Sequence, residues 1–491
     1  MSDCEKVIFH IDVNSAFLSW EAVYRLEQGG TVDLREIPCA VGGDKTKRRG
    51  IILAKSLSAK ACGVKTGEPL TEALKKCPSL IVVPAHHSMY RRYSQKFLNI
   101  LREYSPSVEQ YSIDEAFMDM TGMEKLIGNP VAFAHKLKNR ISKELGFTVN
   151  IGISGNKYLA KMASDFEKPD KVHTLFPTEI KTKMWPLPVS DLLFVGRATT
   201  QVLKKLGIYT IGDLANTDVE ILKCHLKKQG ESIWNFANGR DTSLVESESQ
   251  GNKGYGNSTT IAFDVTDEGT AKMVLLSLCE TVAARLRKDD VKAEVVSVSV
   301  RDFEMKTVSH QRVMAAPTNI TGEIYDTVCV LFDELWDGMP IRHLGVHTSR
   351  VSKQERGRQM SLFDLNTNYE KMEKMDMAVD KIRKKFGNNA IMRASFLDNK
   401  KVENMTGGHP DGRQGDLKTL KMSEIIEEFF NGYCKNYDMA RTAIGEFTEE
   451  NGVLNLEQID CDYGKCPYGE DCEMMHKVFA FIKEREGKKK C

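Results

Sequence analysis

The sequence lacks a long apolar run, since no stretch approaches the about 18 residues that a membrane-spanning helix requires. Its amino terminus also lacks the basic segment followed by an apolar segment that is typical of a secretory signal. We therefore expect a cytoplasmic protein that does not associate with a membrane.

A disulfide framework is also lacking. The chain has 12 cysteines, but most of them are isolated in the sequence, unlike the dense spacing of small secreted domains. This pattern favours reduced, partly buried thiols. The isolated cysteines are Cys4, Cys39, Cys62, Cys77, Cys224, Cys279 and Cys329.

A strong charge of one sign is absent, because 69 basic and 68 acidic residues give a net charge of +1. This weakens any argument for nucleic-acid binding from bulk charge, although local basic patches can still bind phosphates. Basic residues are concentrated at 45–49, at 91–92 and between 157 and 171. The 491 residues, of which 41% are hydrophobic, suffice for about three or four globular domains.

Carboxylates interrupt two apolar, strand-like segments. Asp114 and Glu115 lie within residues 112–117 (SIDEAF), and Asp12 ends residues 7–12 (VIFHID). Burying these carboxylates costs free energy unless positive charge meets them. Three oxygen ligands suit Mg²⁺, which retains positions for water and substrate phosphates. Two such ions about 4 Å apart stabilise the attacking and leaving oxygens of phosphoryl transfer, so the pattern indicates nucleotidyl transfer.

The alternative for these acids is structural: Asp12 would cap a helix, and Asp114 and Glu115 would lie in a surface hairpin turn. Neighbouring residues of an extended strand point to opposite faces, so the adjacent pair can share one site only if the backbone turns there. The apolar flanks of all three acids favour the metal site.

Hydrophobic periodicity predicts an α/β domain in the first third of the chain. The predicted elements are a central strand at 7–12, a helix at 89–104, a hairpin at 108–120, a helix at 131–145, a strand at 147–153 and a helix at 157–164.

Beyond residue 185 the pattern changes to short helices, followed by a polar linker at 246–258. A βαββαβ unit then follows, and its strand at 293–301 alternates valines with Ser297, Ser299 and Arg301, which predicts one buried and one polar face. A helix is predicted at 369–386, and the rest of the chain has the composition of an added small module.

Three segments resemble the palm signatures of the Y-family translesion DNA polymerases. They are residues 11–17 (IDVNSAF), 111–117 (YSIDEAF) and 152–169 (GISGNKYLAKMASDFEKP), and their order and spacing also match. The resemblance extends from about residue 5 to residue 364. It implies a multidomain α/β and α+β fold of the right-hand polymerase type.

The resemblance also implies the domain organisation. The expected parts are a palm (1–14 and 83–172), small fingers (15–82), a helix-hairpin-helix thumb (173–245), a linker (246–257), a βαββαβ little finger (258–352), a tail with a clamp-binding motif (353–368), a helical extension (369–397) and a C-terminal module (398–491).

For the catalytic site, the resemblance implies that Asp12, Asp114 and Glu115 hold two Mg²⁺ ions, with the backbone carbonyl of Val13 as a further ligand. Phe17 matches the steric gate, an aromatic ring beneath the sugar that would collide with a ribose 2′-hydroxyl. Outside its motif, Phe17 would be interpreted as an ordinary core residue.

Lys168 matches the family lysine that contacts the triphosphate, whereas Lys157 and Lys161 are expected to face the DNA backbone or solvent. Most members have a Tyr-x-x-Arg pair in the fingers, where this chain has Leu57 and Lys60, which resembles the UmuC (polymerase V) branch more than the DinB (polymerase IV) branch. Lys60 keeps the charge for triphosphate binding but loses the bidentate fork of arginine, and Leu57 can supply only packing.

Two further segments resemble DNA-binding parts of the family. Gly196 and Arg197 lie in a thumb hairpin expected to contact phosphates through backbone N–H groups, although Phe194 replaces the usual first glycine. In the little finger, the candidates for DNA contact are Arg301, Arg312 and Arg350, and ordinary surface arginines are the alternative.

Residues 359–363 (QMSLF) have the form of a sliding-clamp peptide, with Gln359, Leu362 and Phe363 as anchors. A chance match in a disordered tail is the alternative. The motif follows the little finger, as in the family, and tethering to a clamp would raise the enzyme's local concentration at the primer end.

The last motif contains Cys461, Cys466, Cys472 and His476 within sixteen positions. Three thiolates and an imidazole suit a structural Zn²⁺. Three reduced thiols in a loop-rich tail, or an iron–sulfur cluster, are the alternatives.

Together these features predict a monomeric, template-directed, low-fidelity DNA polymerase that performs translesion synthesis in DNA repair. Its expected partners are primer–template DNA, deoxynucleoside triphosphates, the sliding clamp and accessory damage-response proteins. One rival is another palm-fold enzyme such as a nucleotide cyclase, which would need no thumb or little finger. A second is a non-catalytic DNA- and clamp-binding factor, which would need no acidic triad.

Overall fold

The computed structural model describes residues 6–43, 50–247, 251–353, 369–387 and 390–396. The clamp-motif residues Gln359, Leu362 and Phe363 lie outside these ranges. So do the four zinc candidates, Cys461, Cys466, Cys472 and His476. Both motifs therefore remain predictions. Within the described part of the chain, no helix combines the length and the apolar character needed to cross a bilayer.

The first part of the chain folds as alternating strands and helices, which confirms the α/β prediction. Its elements are β1 (Ile8–Val13), α1 (Ala16–Glu27), β2 (Cys39–Gly42), β3 (Ile52–Lys55), α2 (Leu57–Ala61), α3 (Leu70–Lys76), β4 (Ile81–Pro84), α4 (His87–Arg102), β5 (Val108–Gln110), β6 (Glu115–Asp119), α5 (Glu124–Ile127), α6 (Pro130–Leu145), β7 (Val149–Ser154), α7 (Lys157–Ser164) and β8 (Val172–Thr174).

A five-stranded sheet forms the palm, with strand order β5-β6-β1-β7-β8. Strand β1 is central and buried along its whole length, as its apolar sequence predicts. Helix α7 lies close against the sheet because Gly152 on β7 has no side chain. A Cβ at Gly152 would come within 2.0 Å of the carbonyl oxygen of Ala160. This close approach places the lysines of α7 near the end of β1.

The fingers contain a small three-stranded sheet, in the order β3-β2-β4, together with α2 and α3. Their separate core includes Ile52, Val64 and Leu70. Helix α1 lies within the predicted fingers range, but its Leu18 and Trp20 belong to the core of the palm. The residues that follow β1 therefore pack onto the palm before the chain enters the fingers sheet.

The thumb consists of short helices, as predicted for the segment beyond residue 185. Its elements are two 3₁₀ turns (Pro177–Glu179 and Val189–Asp191), a π-helical turn (Ile180–Met184), α8 (Arg197–Lys205), α9 (Ile211–Asn216), α10 (Val219–Leu226) and α11 (Lys228–Ala237). Tyr158 on α7 stacks on Phe236 of α11 at 4.1 Å, so the thumb packs directly on the palm helix.

The little finger confirms the predicted βαββαβ order. It contains β9 (Gly254–Val265), α12 (Glu268–Lys288), β10 (Lys292–Asp302), β11 (Thr307–Thr318), α13 (Thr321–Leu335) and β12 (Ile341–Ser352). These strands form an antiparallel sheet with the order β11-β10-β12-β9. The predicted linker is too long, because β9 already begins at Gly254 and its glycine- and serine-rich start pairs with β12.

Helix α14 (Tyr369–Phe386) has the predicted bounds, and a short 3₁₀ turn (Ala394–Phe396) follows it. Ion pairs attach this segment to α12. Arg287 contacts Asp376 and Asp380 at 3.0 and 2.6 Å, and Glu280 contacts Arg393 at 2.7 Å. The helical extension therefore packs on the helical side of the little finger.

Candidate active site at the end of the central palm strand

The structure brings Asp12 and Glu115 directly opposite each other. They are register partners in the antiparallel pairing of β1 with β6. Just before Glu115 the chain turns sharply, because the N–H groups of Tyr111 and Ser112 both donate to the carbonyl oxygen of Glu115, at 3.0 and 3.1 Å. This is the backbone turn that a site shared by Asp114 and Glu115 requires.

Asp114 ends this turn and lies beside the end of β1. Its carbonyl oxygen accepts a 3.0 Å hydrogen bond from the N–H of Val13. Its carboxylate accepts a 2.6 Å hydrogen bond from the hydroxyl of Ser112. Within the described ranges, no three carboxylate, imidazole or thiol groups form a cluster that could hold a metal ion. The structure therefore pairs Asp12 with Glu115, while the carboxylate of Asp114 remains bound within its own turn.

Lys161 occupies the space where the two paired carboxylates meet. Its Nζ lies 2.6 Å from Oε1 of Glu115 and 3.5 Å from Oδ2 of Asp12. The side chain is 9% exposed, so the expectation that Lys161 faces DNA or solvent is wrong. Oxygen atoms of Asp12 and Glu115 thus approach one positive charge together.

Lys168 reaches the same site from the segment after α7. Its Nζ lies 2.6 Å from Oδ2 of Asp12 and 2.8 Å from Oδ1 of Asp165. Lys157 also makes contacts within the protein, because its Nζ lies 2.7 Å from Oε2 of Glu109. The sequence predicts that Lys168 contacts the triphosphate, but it does not predict that Lys168 would bind a candidate metal ligand.

The two paired acids have different pKa values, because their charged neighbours offset the effect of burial to different extents. Burial raises the pKa of Asp12 to about 6, although Lys168 and Lys161 oppose this shift. Burial would also raise the pKa of Glu115, but the contacts with His10 and Lys161 outweigh it and lower that pKa to about 2. Buried His10 has a pKa lowered to about 4, so its imidazole is neutral at pH 7. The site thus holds carboxylates that positive charge must stabilise.

Phe17 lies on α1 within a group of aromatic rings. Tyr90 stacks on it at 4.8 Å with an interplanar angle of 14°, and His87 meets it edge-on at 5.9 Å. Trp20 lies at 6.0 Å. Phe17 itself is only partly buried, unlike Tyr90 and Trp20, which are fully buried. Its ring is thus supported by the core and also accessible, as a residue that contacts a sugar must be.

In the fingers, Leu57 and Lys60 both lie on α2. Leu57 is 59% exposed, so its side chain is not part of the fingers core. Lys60 is exposed and lies near Lys55, whose pKa is lowered by burial and by the charge of Lys60. Two neighbouring lysines therefore give this part of the fingers a positive charge.

The thumb hairpin places Gly196 at the N-cap of α8, with Arg197 as the first helical residue. Within the described part of the chain, no side chain caps this helix end, so its first N–H groups can receive a ligand. Phe194 has a φ of +72°, in the left-handed region that favours glycine. The Phe194 ring packs against the ring of Phe236, with 5.7 Å between the ring centroids.

The three little-finger arginines do not share one face. Arg301 lies two residues from Ser299 on β10, on the polar face of the sheet. Arg312 is the register partner of the fully buried Val296, so it lies on the helical side, where its Nη2 is 2.5 Å from Oε1 of Glu334. The sequence predicts that Arg312 and Arg301 both contact DNA from this sheet. They lie on opposite faces, so the expectation that Arg312 shares a DNA-contacting face with Arg301 is wrong.

Arg350 is exposed near the end of β12 and has a φ of +51°. The polar face that carries Arg301 is lined by hydroxyl, amide and imidazole groups. They include Ser297, Ser299, Ser309, Gln311 and His347. Such a face can hydrogen-bond to a phosphate backbone without reading its sequence.

Comparison with known proteins adds three family matches. The pattern of the impB/mucB/samB family matches residues 11–165, and that of its C-terminal domain matches residues 252–362. The helix-hairpin-helix pattern of the same family matches residues 177–208. These ranges include the paired acids, the thumb hairpin and the little finger.

Relatives with similar sequences have names that agree with these family matches. DNA polymerase IV of Clostridium acetobutylicum is 44% identical over 80% of this chain and 98% of its own length. DNA polymerase IV 2 of Bacillus subtilis is 39% identical over 80% of this chain and 95% of its own. The resemblance to the UmuC branch is thus a local feature of Leu57 and Lys60, whereas both of these relatives are named polymerase IV.

A solved structure matches the fold. A Y-family DNA polymerase chimera of Dbh and Dpo4 superposes with a TM-score of 0.63 at 23% identity, covering 71% of this chain and 100% of the chimera. The sequence relationship and the shared architecture lead to one assignment. The chain belongs to the impB/mucB/samB family, which is the Y-family of DNA polymerases.

Proposed function

We propose that this Y-family DNA polymerase extends a primer across damaged template bases by nucleotidyl transfer at the site between β1 and β6. The observation that carries the proposal is the pairing of Asp12 with Glu115 around the ammonium group of Lys161. The fingers, with three short strands and two short helices, would constrain the nascent base pair weakly. Weak geometric selection accounts for synthesis that is both tolerant of lesions and of low fidelity.

Mg²⁺ fits the donor set, because carboxylate and carbonyl oxygens are its preferred protein ligands. Asp12 and Glu115 would hold it, with Asp114 and the carbonyl of Val13 as further ligands. Asp114 would first give up its hydrogen bond to Ser112, and Lys161 would withdraw from the carboxylates. When bound, the divalent ions would activate the primer 3′-hydroxyl and neutralise charge on the phosphates.

Lys168 and Lys60 would bind the triphosphate. Lys168 already reaches Asp12 through a flexible, partly exposed side chain, so it can exchange this contact for a phosphate. Phe17 would lie under the sugar, where its ring excludes a 2′-hydroxyl and so selects deoxynucleotides. The partial exposure of Phe17 above the buried Tyr90 supports this role.

DNA would be held at phosphates by the open N-terminus of α8, at Gly196 and Arg197, and by Arg301 and Arg350 of the little finger. Arg312 is excluded from this surface because Glu334 holds it on the helical side.

Two roles proposed from the sequence complete the assignment. Gln359, Leu362 and Phe363 would tether the enzyme to a sliding clamp, and Cys461, Cys466, Cys472 and His476 would bind a structural Zn²⁺. Accessory damage-response proteins remain proposed partners.

Primer extension with Mg²⁺ tests the catalytic site directly. We expect Asp114→Ala and Glu115→Gln to lose extension while retaining binding to primer–template DNA. Glu103→Gln is the matched control, since Glu103 lies on the palm surface with a side chain that is 55% exposed. Wild-type extension rates in either site variant would refute the metal-site assignment. A wild-type protein that binds DNA without extending it would favour the non-catalytic alternative.

A further inference from the structure

Glu21 is a fully buried carboxylate outside the catalytic site, on α1, one helical turn after Phe17. Three groups contact it. Arg25 Nε donates to Oε1 at 2.9 Å, the hydroxyl of Tyr90 donates to Oε2 at 3.1 Å, and His86 Nδ1 lies 2.9 Å from Oε2. A buried carboxylate is costly unless it is hydrogen-bonded, so this network fixes the position of each partner.

Tyr90 connects Glu21 to the proposed gate. Its hydroxyl is held by Glu21, and its fully buried ring lies nearly parallel to the ring of Phe17 at 4.8 Å. Phe17 and Glu21 lie on the same helix, so the contacts form a closed path from α1 through Tyr90 on α4 and back to α1. The stacked ring of Tyr90 thus supports the Phe17 ring on one side, and the hydrogen bond to Glu21 holds Tyr90 there.

We propose that Tyr90 and Glu21 are positioning residues that fix the ring of Phe17 and thereby set the discrimination between deoxy- and ribonucleoside triphosphates. This inference rests on the gate role proposed for Phe17. Steric exclusion of one hydroxyl requires a ring that does not yield when the hydroxyl meets it. Tyr90 supplies the surface behind the ring, and Glu21 keeps Tyr90 in place.

The test is the ratio of kcat/KM for a deoxynucleotide to kcat/KM for the matching ribonucleotide. It is measured by primer extension for the wild type, Phe17→Ala, Tyr90→Leu, Tyr90→Phe and Glu21→Gln. Loss of folded enzyme lowers both rates equally and leaves the ratio unchanged. A purely structural role for Tyr90 and Glu21 therefore predicts the wild-type ratio in their variants.

We expect Tyr90→Leu to lower the ratio about three- to tenfold, the range that one aromatic pair contributes. Tyr90→Phe and Glu21→Gln should lower it less, because the stacked ring remains but its anchor is weakened. The matched control is Tyr93→Phe on the same helix. Its hydroxyl donates to Glu27 at 2.7 Å and its ring meets Phe147, so the ratio should not change.

Two results would overturn the inference, and they are distinguishable. Wild-type ratios in Tyr90→Leu, Tyr90→Phe and Glu21→Gln, together with a reduced ratio in Phe17→Ala, would refute the positioning role alone. An unchanged ratio in Phe17→Ala would refute the gate role of Phe17, and the inference would fall with it. Because Tyr90→Phe removes a single oxygen atom, it keeps the test decisive if a larger change prevents folding.

Discussion

Lys161 Nζ lies 2.6 Å from Oε1 of Glu115, so an ammonium group from α7 occupies the position that we propose for a catalytic cation. Asp12 approaches the same ammonium from β1. The protein therefore neutralises its own acidic site through a neighbouring helix. Metal binding at these acids, as proposed above, would exchange one positive group for another and so limit the cost of keeping them buried.

Replacement of this ammonium should make stability depend on metal. We expect Lys161→Met to destabilise the metal-free protein by about 3–5 kcal/mol, because buried carboxylates lose their partner. Thermal unfolding with and without Mg²⁺ measures the effect, and Mg²⁺ should raise the Tm of Lys161→Met more than that of the wild type. Lys138→Met is the control, since Lys138 pairs with Asp170 rather than with Asp12 or Glu115. Equal Mg²⁺-induced increases in the Tm of Lys161→Met and the wild type would contradict the proposed exchange of the Lys161 ammonium for a metal ion.

Glu21, the buried acid that contacts Tyr90, should make the stability of the protein depend on pH. Burial alone would raise the pKa of Glu21, but hydrogen bonds from His86 and Arg25 lower it below its ordinary value of 4.5. A lowered folded-state pKa gives stability that is present above 4.5 and lost as the pH falls below it. Wild-type unfolding free energy should therefore fall below pH 4.5 more steeply than that of Glu21→Gln, by up to about 1.4 kcal/mol per pH unit. The unfolding free energies are measured by denaturant titration at several pH values. Parallel pH profiles for the wild type and Glu21→Gln would contradict this contribution of Glu21.

Local patterns in the sequence predict the elements, because hydrophobic periodicity depends on neighbours within a few residues. Helix α7 and helix α14 have the predicted bounds, and the little finger has the predicted order. Asp12 and Glu115 are also register partners, whereas the carboxylate of Asp114 is bound by Ser112 within its own turn. The metal-ligand roles of the three acids stay predictions.

Relationships between distant segments could not be predicted in the same way. The role of Lys161 depends on how α7 lies against β1 and β7, and Gly152 permits that approach only in the folded chain. Strand β11 is exposed along most of its length, and its sequence does not alternate regularly between apolar and polar residues. The face on which Arg312 lies therefore could not be inferred from the sequence. The register with β10 determines that face.

The cysteine motif near the carboxyl terminus predicts about one zinc ion per chain. Elemental analysis of the purified full-length protein measures it. Cys466→Ser should lose the metal and retain primer extension, because the palm carboxylates lie in another part of the sequence. Cys434→Ser, outside the motif, should keep the metal. A wild-type protein without bound metal, or with iron in place of zinc, would show that the zinc assignment is wrong.

The two faces of the little-finger sheet predict opposite outcomes for two arginines. Arg301 shares the polar face with Ser297 and Ser299, so Arg301→Ala should weaken binding to primer–template DNA equally across sequences. The slope of binding affinity against salt concentration should also fall by about one unit, because one phosphate contact is lost.

Arg312→Ala is the internal control, since Glu334 already binds Arg312 on the helical side of the sheet. The affinity of Arg312→Ala for primer–template DNA, and the slope of that affinity against salt concentration, should match those of the wild type. Fluorescence anisotropy with a labelled primer–template at several salt concentrations measures both quantities. Reduced affinity in Arg312→Ala with no change in Arg301→Ala would mean that DNA contacts the helical side. Because the register of β10 with β11 places the two residues on opposite faces, one unchanged sheet cannot present both arginines to the same duplex.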